Sequence, residues 1–109
     1  MRSAKDLSKT TKLVLQKNKE CFFCKTTRNL HHHEVFHGTA NRKKSVEWGC
    51  QVWLCGAHHN LSMDGVHFNK KKDDILKKYA QTEFEKLYGH EKFMSIFHKN
   101  YLEGDEDGI

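Results

Sequence analysis

The 109-residue chain has no proline, only seven glycines, and no internal repeat or Ser- or Gly-rich linker. Nothing marks an internal boundary, so it reads as one small domain. No apolar run approaches the ~20 residues of a membrane-spanning helix, so no membrane partner is expected. Its first residues are polar and alternate Lys with Ser and Thr. No secretion signal is expected there, and the chain is assigned to a reducing compartment. Hydrophobic residues are also sparse, at 37%. A core this small would gain from a metal staple.

Acid is scarce in the body of the chain. Glu103, Asp105, Glu106 and Asp107 sit in the last seven residues without a single base. Leaving out those four acids raises the net charge from +5 to +9 over residues 1–102. A basic body suggests a polyanionic partner, most often nucleic acid. The tail, 103–109, is expected to be acidic and disordered.

Metal ligands are plentiful. Cys21-Phe-Phe-Cys24 and Cys55-Gly-Ala-His58 are two half-sites with 30 residues between them. Each sets two soft ligands two residues apart, a spacing that lets a tight turn grip one tetrahedral zinc. Disulfides are disfavoured in a reducing compartment. One structural Zn²⁺ on Cys21, Cys24, Cys55 and His58 is therefore expected. His31, His32, His33, His37, His59 and His67 are surplus to it and need their own explanation.

Around these ligands the pattern predicts an α+β chain. Residues 1–19 read as a basic helix, with Leu7, Val14 and Leu15 inward, or as a flexible basic arm. A strand is expected over 30–36. Val46, Trp48, Cys50, Val52 and Leu54 alternate as a second strand would, with Cys50 as a buried small residue. A polar loop over 37–45 would join the two strands, and 56–62 would form a short helix. Asn69 is a plausible N-cap for a helix in which Ile75, Leu76, Tyr79, Ala80, Phe84, Leu87 and Tyr88 recur at helical spacing up to Gly89. A last helix at about 90–98 offers Phe93, Met94, Ile96 and Phe97, with Tyr101 and Leu102 behind. These aromatics are read as core. The layout is a zinc-pinned unit over 20–69 and a helical pair over 70–102.

Leu30-His-His-His33-Glu34-Val-Phe and Leu54-Cys55-Gly-Ala-His58-His59-Asn60 resemble the two halves of an HNH nuclease motif. With Gly38-Thr-Ala-Asn-Arg42-Lys-Lys-Ser45 and Gly65-Val-His67-Phe-Asn69-Lys70, residues 20–102 are similar to small bacteriophage proteins of the recombination-enhancement, RecA-dependent nuclease type. The resemblance implies a zinc-stabilised ββα-metal core in which His58 takes the place of a fourth cysteine. It implies that His33, His59 and His67 hold a catalytic divalent metal (Mg²⁺, Mn²⁺, Ni²⁺ or Zn²⁺). Glu34 then occupies the general-base position; a shift of one residue would make His32 the ligand and His33 the base.

Two positions depart from that motif. Its middle Asn falls on Cys50, and its usual final ligand falls on Met63, so His67 must substitute. The resemblance further implies hydrolysis of DNA to a 3′-hydroxyl and a 5′-phosphate, a RecA-like recombinase filament as a possible partner, and a bacterial host cytoplasm as the setting. Arg42, Lys43 and Lys44, with Lys70, Lys71 and Lys72 at a helix start where they oppose the macrodipole, are candidate phosphate contacts. The competing reading is an inactive zinc module that binds DNA or a host or recombination protein, with His31 and His37 as surface residues.

Overall fold

A computed structural model describes residues 13–60 and 65–102. It is a mixed α+β arrangement: strand β1 (Leu30–Glu34), helix α1 (Thr39–Trp48), strand β2 (Gln51–Cys55), one-turn helix α2 (Gly56–His59), helix α3 (Lys70–Tyr88) and helix α4 (His90–Phe97). Leu7, residues 61–64 (with Met63) and the acidic tail lie outside the described residues, as does most of the expected N-terminal helix or arm. From Leu13 to Glu20 the chain is irregular rather than helical, and Val14 is 73% exposed instead of inward. Leu13 and Leu15 are buried. This segment is tied down by Gln16, whose Oε1 accepts the Trp53 N–H at 2.6 Å, and by Tyr79, whose hydroxyl donates to the Leu15 carbonyl at 2.9 Å.

The two strands form an antiparallel sheet that pairs His31 with Leu54, His32 with Trp53 and His33 with Val52. Directly opposed residues share a face and alternate along each strand. His31, His33, Val52 and Leu54 therefore lie on one face, and His32 and Trp53 on the other. The expected loop over 37–45 is instead largely α1, and β2 starts only at Gln51. Val46 and Trp48 belong to the last turn of that helix. The apparent alternation from Val46 to Leu54 thus runs through a helix end and into a strand.

Gly49 makes this junction. It is left-handed, with φ +81°, and its N–H reaches the Val46 carbonyl at 3.4 Å while the Cys50 N–H reaches that of Ser45 at 2.8 Å. This is a Schellman closure, which favours glycine. A Cβ here would also sit 2.1 Å from the Leu13 carbonyl oxygen. Buried Ser45 holds α1 against the end of β1: its hydroxyl donates to the Phe36 carbonyl at 2.8 Å and accepts the Phe36 N–H at 3.1 Å.

Phe36 leads into the aromatic core, packing on Phe93, Phe97 and Tyr101 at ring-centroid distances of 5.3, 4.6 and 5.1 Å. Phe84 of α3 joins Trp48 of α1 to Phe93 of α4. Burying a side chain of this size contributes about 1.5–3 kcal/mol, so these rings anchor the helical pair on the hairpin unit. Leu102, expected to pack behind them, is exposed. Asn69 caps α3 as its sequence predicts, its side-chain oxygen accepting the Lys72 N–H at 3.2 Å. Among the described residues no helix is long and apolar enough to cross a membrane.

Candidate functional site

Cys21 and Cys24 flank a turn closed by the Lys25 N–H on the Cys21 carbonyl, and the Phe22 N–H docks this turn on the Trp53 carbonyl of β2. Cys55 ends β2, and His58 lies one turn of α2 further on. The four ligand atoms fall within 4.8 Å of one another. Cys24 Sγ is 3.8 Å from Cys55 Sγ, and His58 Nδ1 is 3.6 Å from Cys21 Sγ and 3.3 Å from Cys55 Sγ. A tetrahedron with the usual zinc–sulfur and zinc–nitrogen bond lengths has edges of about 3.8 and about 3.6 Å. The group could hold a metal such as zinc.

Its electrostatics fit that use. Burial pushes the Cys21 thiol up, but the backbone N–H groups of Cys24, Cys55 and Phe23 outweigh it and bring it to about 6. The Cys55 thiol is pushed up by burial and by hydrogen bonding with Cys24 and Cys21. Crowded sulfurs oppose one another's ionisation, and a divalent cation relieves that conflict. All four cysteines are free thiols. Cys50 is buried and its thiol is pushed up to about 12 by burial alone, which makes it inert.

A second group, His33, His59 and His67, also places its ligand atoms within 4.8 Å of one another. His33 comes from β1 and His59 from the end of α2. His67 reaches them because the chain returns against α2: the Val66 and His67 N–H groups take the His58 and His59 carbonyls at 2.9 and 3.3 Å. Segment 65–67 thus satisfies carbonyls that the next helical turn would have used. The return is close enough that a Cβ on Gly65 would lie 2.6 Å from the His59 carbonyl oxygen. The Nε2 atoms of His59 and His67 are 3.2 Å apart, near the ~3.3 Å edge set by zinc–nitrogen bonds.

The triad is tuned to be neutral. Burial, then the neighbouring His59, His67 and His37, lowers His33 to about 3. Burial, then His67 and His31, lowers His59 to about 4 against the pull of Glu34. His67 is lowered by burial and then by His37 and, more weakly, Arg42, with Asp73 opposing. Neutral imidazoles keep the lone pairs that a cation requires. His33 is 3% exposed, and its Nε2 is buried with no hydrogen-bond partner among the described residues. An orphaned buried polar atom costs about 1–3 kcal/mol, and a bound cation removes that cost. The donor set fits a metal ion.

A cavity of about 290 Å³ opens over the triad, lined by His32, Glu34, His37, Arg42 and Asn60 as well. His32 lies at its rim but stacks on Trp53 at 4.5 Å, on the sheet face opposite His33. Of the two sequence registers, the one with His33 as ligand is the one whose side chain joins His59 and His67.

Three residues to which the sequence reading gave no metal or catalytic role, His31, His37 and Asp73, also gather here. His31 Nδ1 lies 2.9 Å from His59 Nδ1. His37 is beside His33 and His67, with its Nε2 3.2 Å from Asp73 Oδ1. Lys77 holds the other Asp73 oxygen at 2.8 Å. Burial would raise the Asp73 carboxyl, yet His37 and Lys77 keep it below its ordinary value. The expected surface histidines His31 and His37 are thus part of the cluster. Period-two alternation with His33 could have found His31, whereas nothing local marks Asp73 within its run of Lys and Asp.

The basic residues separate. Arg42 is exposed at the cavity and Lys43 is exposed beside it on α1. Lys44 donates to the Ile96 carbonyl at 2.6 Å, at the end of α4. Lys70 pairs with Asp74 at 2.8 Å, Lys72 Nζ lies 5.8 Å from the Phe23 ring centroid, and Lys71 is exposed. Comparison with protein-family models, curated proteins and solved structures finds no match.

Proposed function

We propose that this chain is a metal-dependent endonuclease of DNA, built as a ββα-metal (HNH-type) unit whose two ligand groups divide the work. Cys21, Cys24, Cys55 and His58 would hold a structural Zn²⁺ that pins the β1–β2 hairpin to α2. His33, His59 and His67 would hold a catalytic divalent cation. The observation that carries this reading is the convergence of three neutral histidines, one with an orphaned buried Nε2, in a cavity edged by Arg42. A divalent cation there supplies electrostatic stabilisation of charge developing on a scissile phosphate.

The chain's own groups supply the rest. Arg42 offers a bidentate cation for a phosphate beside the triad. His33 is committed to the triad and His32 to Trp53, which leaves Glu34 and His37 to accept a proton from the attacking water. His37 is the better placed of the two. With its Nε2 3.2 Å from Asp73 Oδ1, a neutral ring that donates there would carry its lone pair on Nδ1, and the ring lines the cavity. Lys77 keeps Asp73 ionised and in place. Such a base contributes typically ~10²–10⁴-fold. Free thiols at the structural site suit a reducing cytoplasm.

The test is nicking of supercoiled plasmid with Mg²⁺, Mn²⁺, Ni²⁺ or EDTA, and of single strands coated with a RecA-type recombinase. Wild type is expected to cut only with metal, and His59→Ala not at all. Cutting by His59→Ala prepared in the same way would refute the proposal. A second reading, a zinc module that binds DNA or a recombination protein without cutting, draws on Cys50. That buried thiol stands where the motif has an Asn and is out of reach of a substrate. It predicts DNA binding and no turnover under any of these conditions.

A further inference from the structure

Two nitrogens of His59 have close partners: Nε2 faces His67 Nε2 at 3.2 Å, and Nδ1 faces His31 Nδ1 at 2.9 Å. A neutral imidazole carries one N–H and one lone pair. If Nε2 of His59 gives its lone pair to a cation shared with His67, its proton must lie on Nδ1, pointing at His31. His31 can accept that proton's hydrogen bond only with its own N–H on Nε2. The geometry thus allows one arrangement of protons across the pair when the site is loaded. The His31 ring stands edge-on to His59, with centroids 5.0 Å apart and planes at 89°, so an in-plane nitrogen can meet an in-plane N–H. Strand alternation fixes His31 on the same sheet face as His33, opposite buried Leu54. The acceptor is therefore held by the same strand that supplies the buried ligand.

We propose that His31 is a positioning residue that accepts the Nδ1–H of His59, fixing the tautomer and ring orientation with which His59 binds a divalent cation. Partners of this kind raise ligand basicity, and their loss typically weakens metal binding by about 10–100-fold. This inference rests on the catalytic-metal reading above, and it assigns a role to a histidine that the HNH-like pattern leaves unused.

Its test uses the full chain already holding one equivalent of zinc. A second equivalent of Zn²⁺ is titrated by calorimetry into wild type, His31→Phe and His31→Gln. Phe keeps the ring and its edge-on packing but has no acceptor, whereas the Gln carbonyl oxygen restores one. The expected order is wild type tightest, Gln intermediate, and Phe about 10–100-fold weaker, with the first equivalent retained in all three. With two equivalents bound, imidazole NMR should show a downfield, slowly exchanging His59 Nδ1–H in wild type and lose it in His31→Phe. Equal affinity of wild type and His31→Phe would overturn the assignment, as would equal weakening by Phe and Gln. If wild type takes up no second equivalent, the catalytic-metal reading itself fails, which separates the two outcomes.

Discussion

Acidifying the protein loaded with only its structural metal should destabilise it through His33. In the fold this residue sits at about 3, against 6.5 when exposed. Because the folded value is the lower one, the unfolded chain binds more protons in between. The contribution is complete above about 6.5 and is lost as pH falls toward 3. Between pH 7.5 and 5.5, where the unfolded imidazole gains most of a proton and the folded one almost none, the integrated loss is about 1.4 kcal/mol. For a domain of this size that is a fall in Tm on the order of 5 °C. His59 adds in the same direction, but its greater exposure screens it and the increment is smaller. Urea unfolding followed by the fluorescence of Trp48 and Trp53, at both pH values, measures this directly. His33→Leu removes the titrating group, so its stability should fall by about 1.4 kcal/mol less than wild type over the same interval. Equal falls in the two proteins would refute the claim that burial and neighbouring histidines hold His33 neutral. Adding a second divalent cation at about 100 times its Kd should return about 2.7 kcal/mol to wild type, and nothing to the variant.

Gly49→Ala meets a backbone oxygen at 2.1 Å in a left-handed conformation and should cost well above the ~1–2 kcal/mol of the conformation alone, read from the urea midpoint. Ser45→Ala leaves the buried Phe36 N–H unpaired and should cost about 1–3 kcal/mol without changing bound metal. Arg42→Ala should weaken DNA binding and reduce its salt dependence by about one counterion. Lys44→Ala should leave that slope unchanged and lower stability, because its ammonium is committed to the Ile96 carbonyl; salt-dependent fluorescence anisotropy separates the two. His37→Ala should lower kcat by about 10²–10⁴-fold and keep the second metal equivalent, whereas Glu34→Gln should cost much less.

The group of Cys21, Cys24, Cys55 and His58, which could hold a metal, was legible because its signal is local. Cys21 with Cys24, and Cys55 with His58, are each brought together by one turn of chain. Long-range placement was only partly legible. His67 could be named as the substitute for a missing ligand, but not how it arrives, since that depends on Gly65 passing close to the His59 carbonyl. Helix α1 was missed because its one fully buried side chain is the polar Ser45. No apolar stripe marks it, and Val46 and Trp48 happened to fall in phase with β2. Likewise Lys44 and the Lys43 next to it read alike in sequence, and only the packing of α1 against α4 sends one to a carbonyl and leaves the other exposed. Asp73 is polar among polar neighbours, and its meeting with His37 across 36 positions is a product of the fold.

In the function proposed above, the two ligand groups hold two metals with separate duties. Metal content and plasmid nicking, measured together on identically prepared wild type and His59→Ala, test it most directly. Wild type is expected to bind two equivalents and cut, whereas His59→Ala keeps one equivalent of zinc and an unchanged fold but neither binds the second nor cuts. A wild type that takes up one equivalent only, or a His59→Ala protein that still cuts, would contradict it.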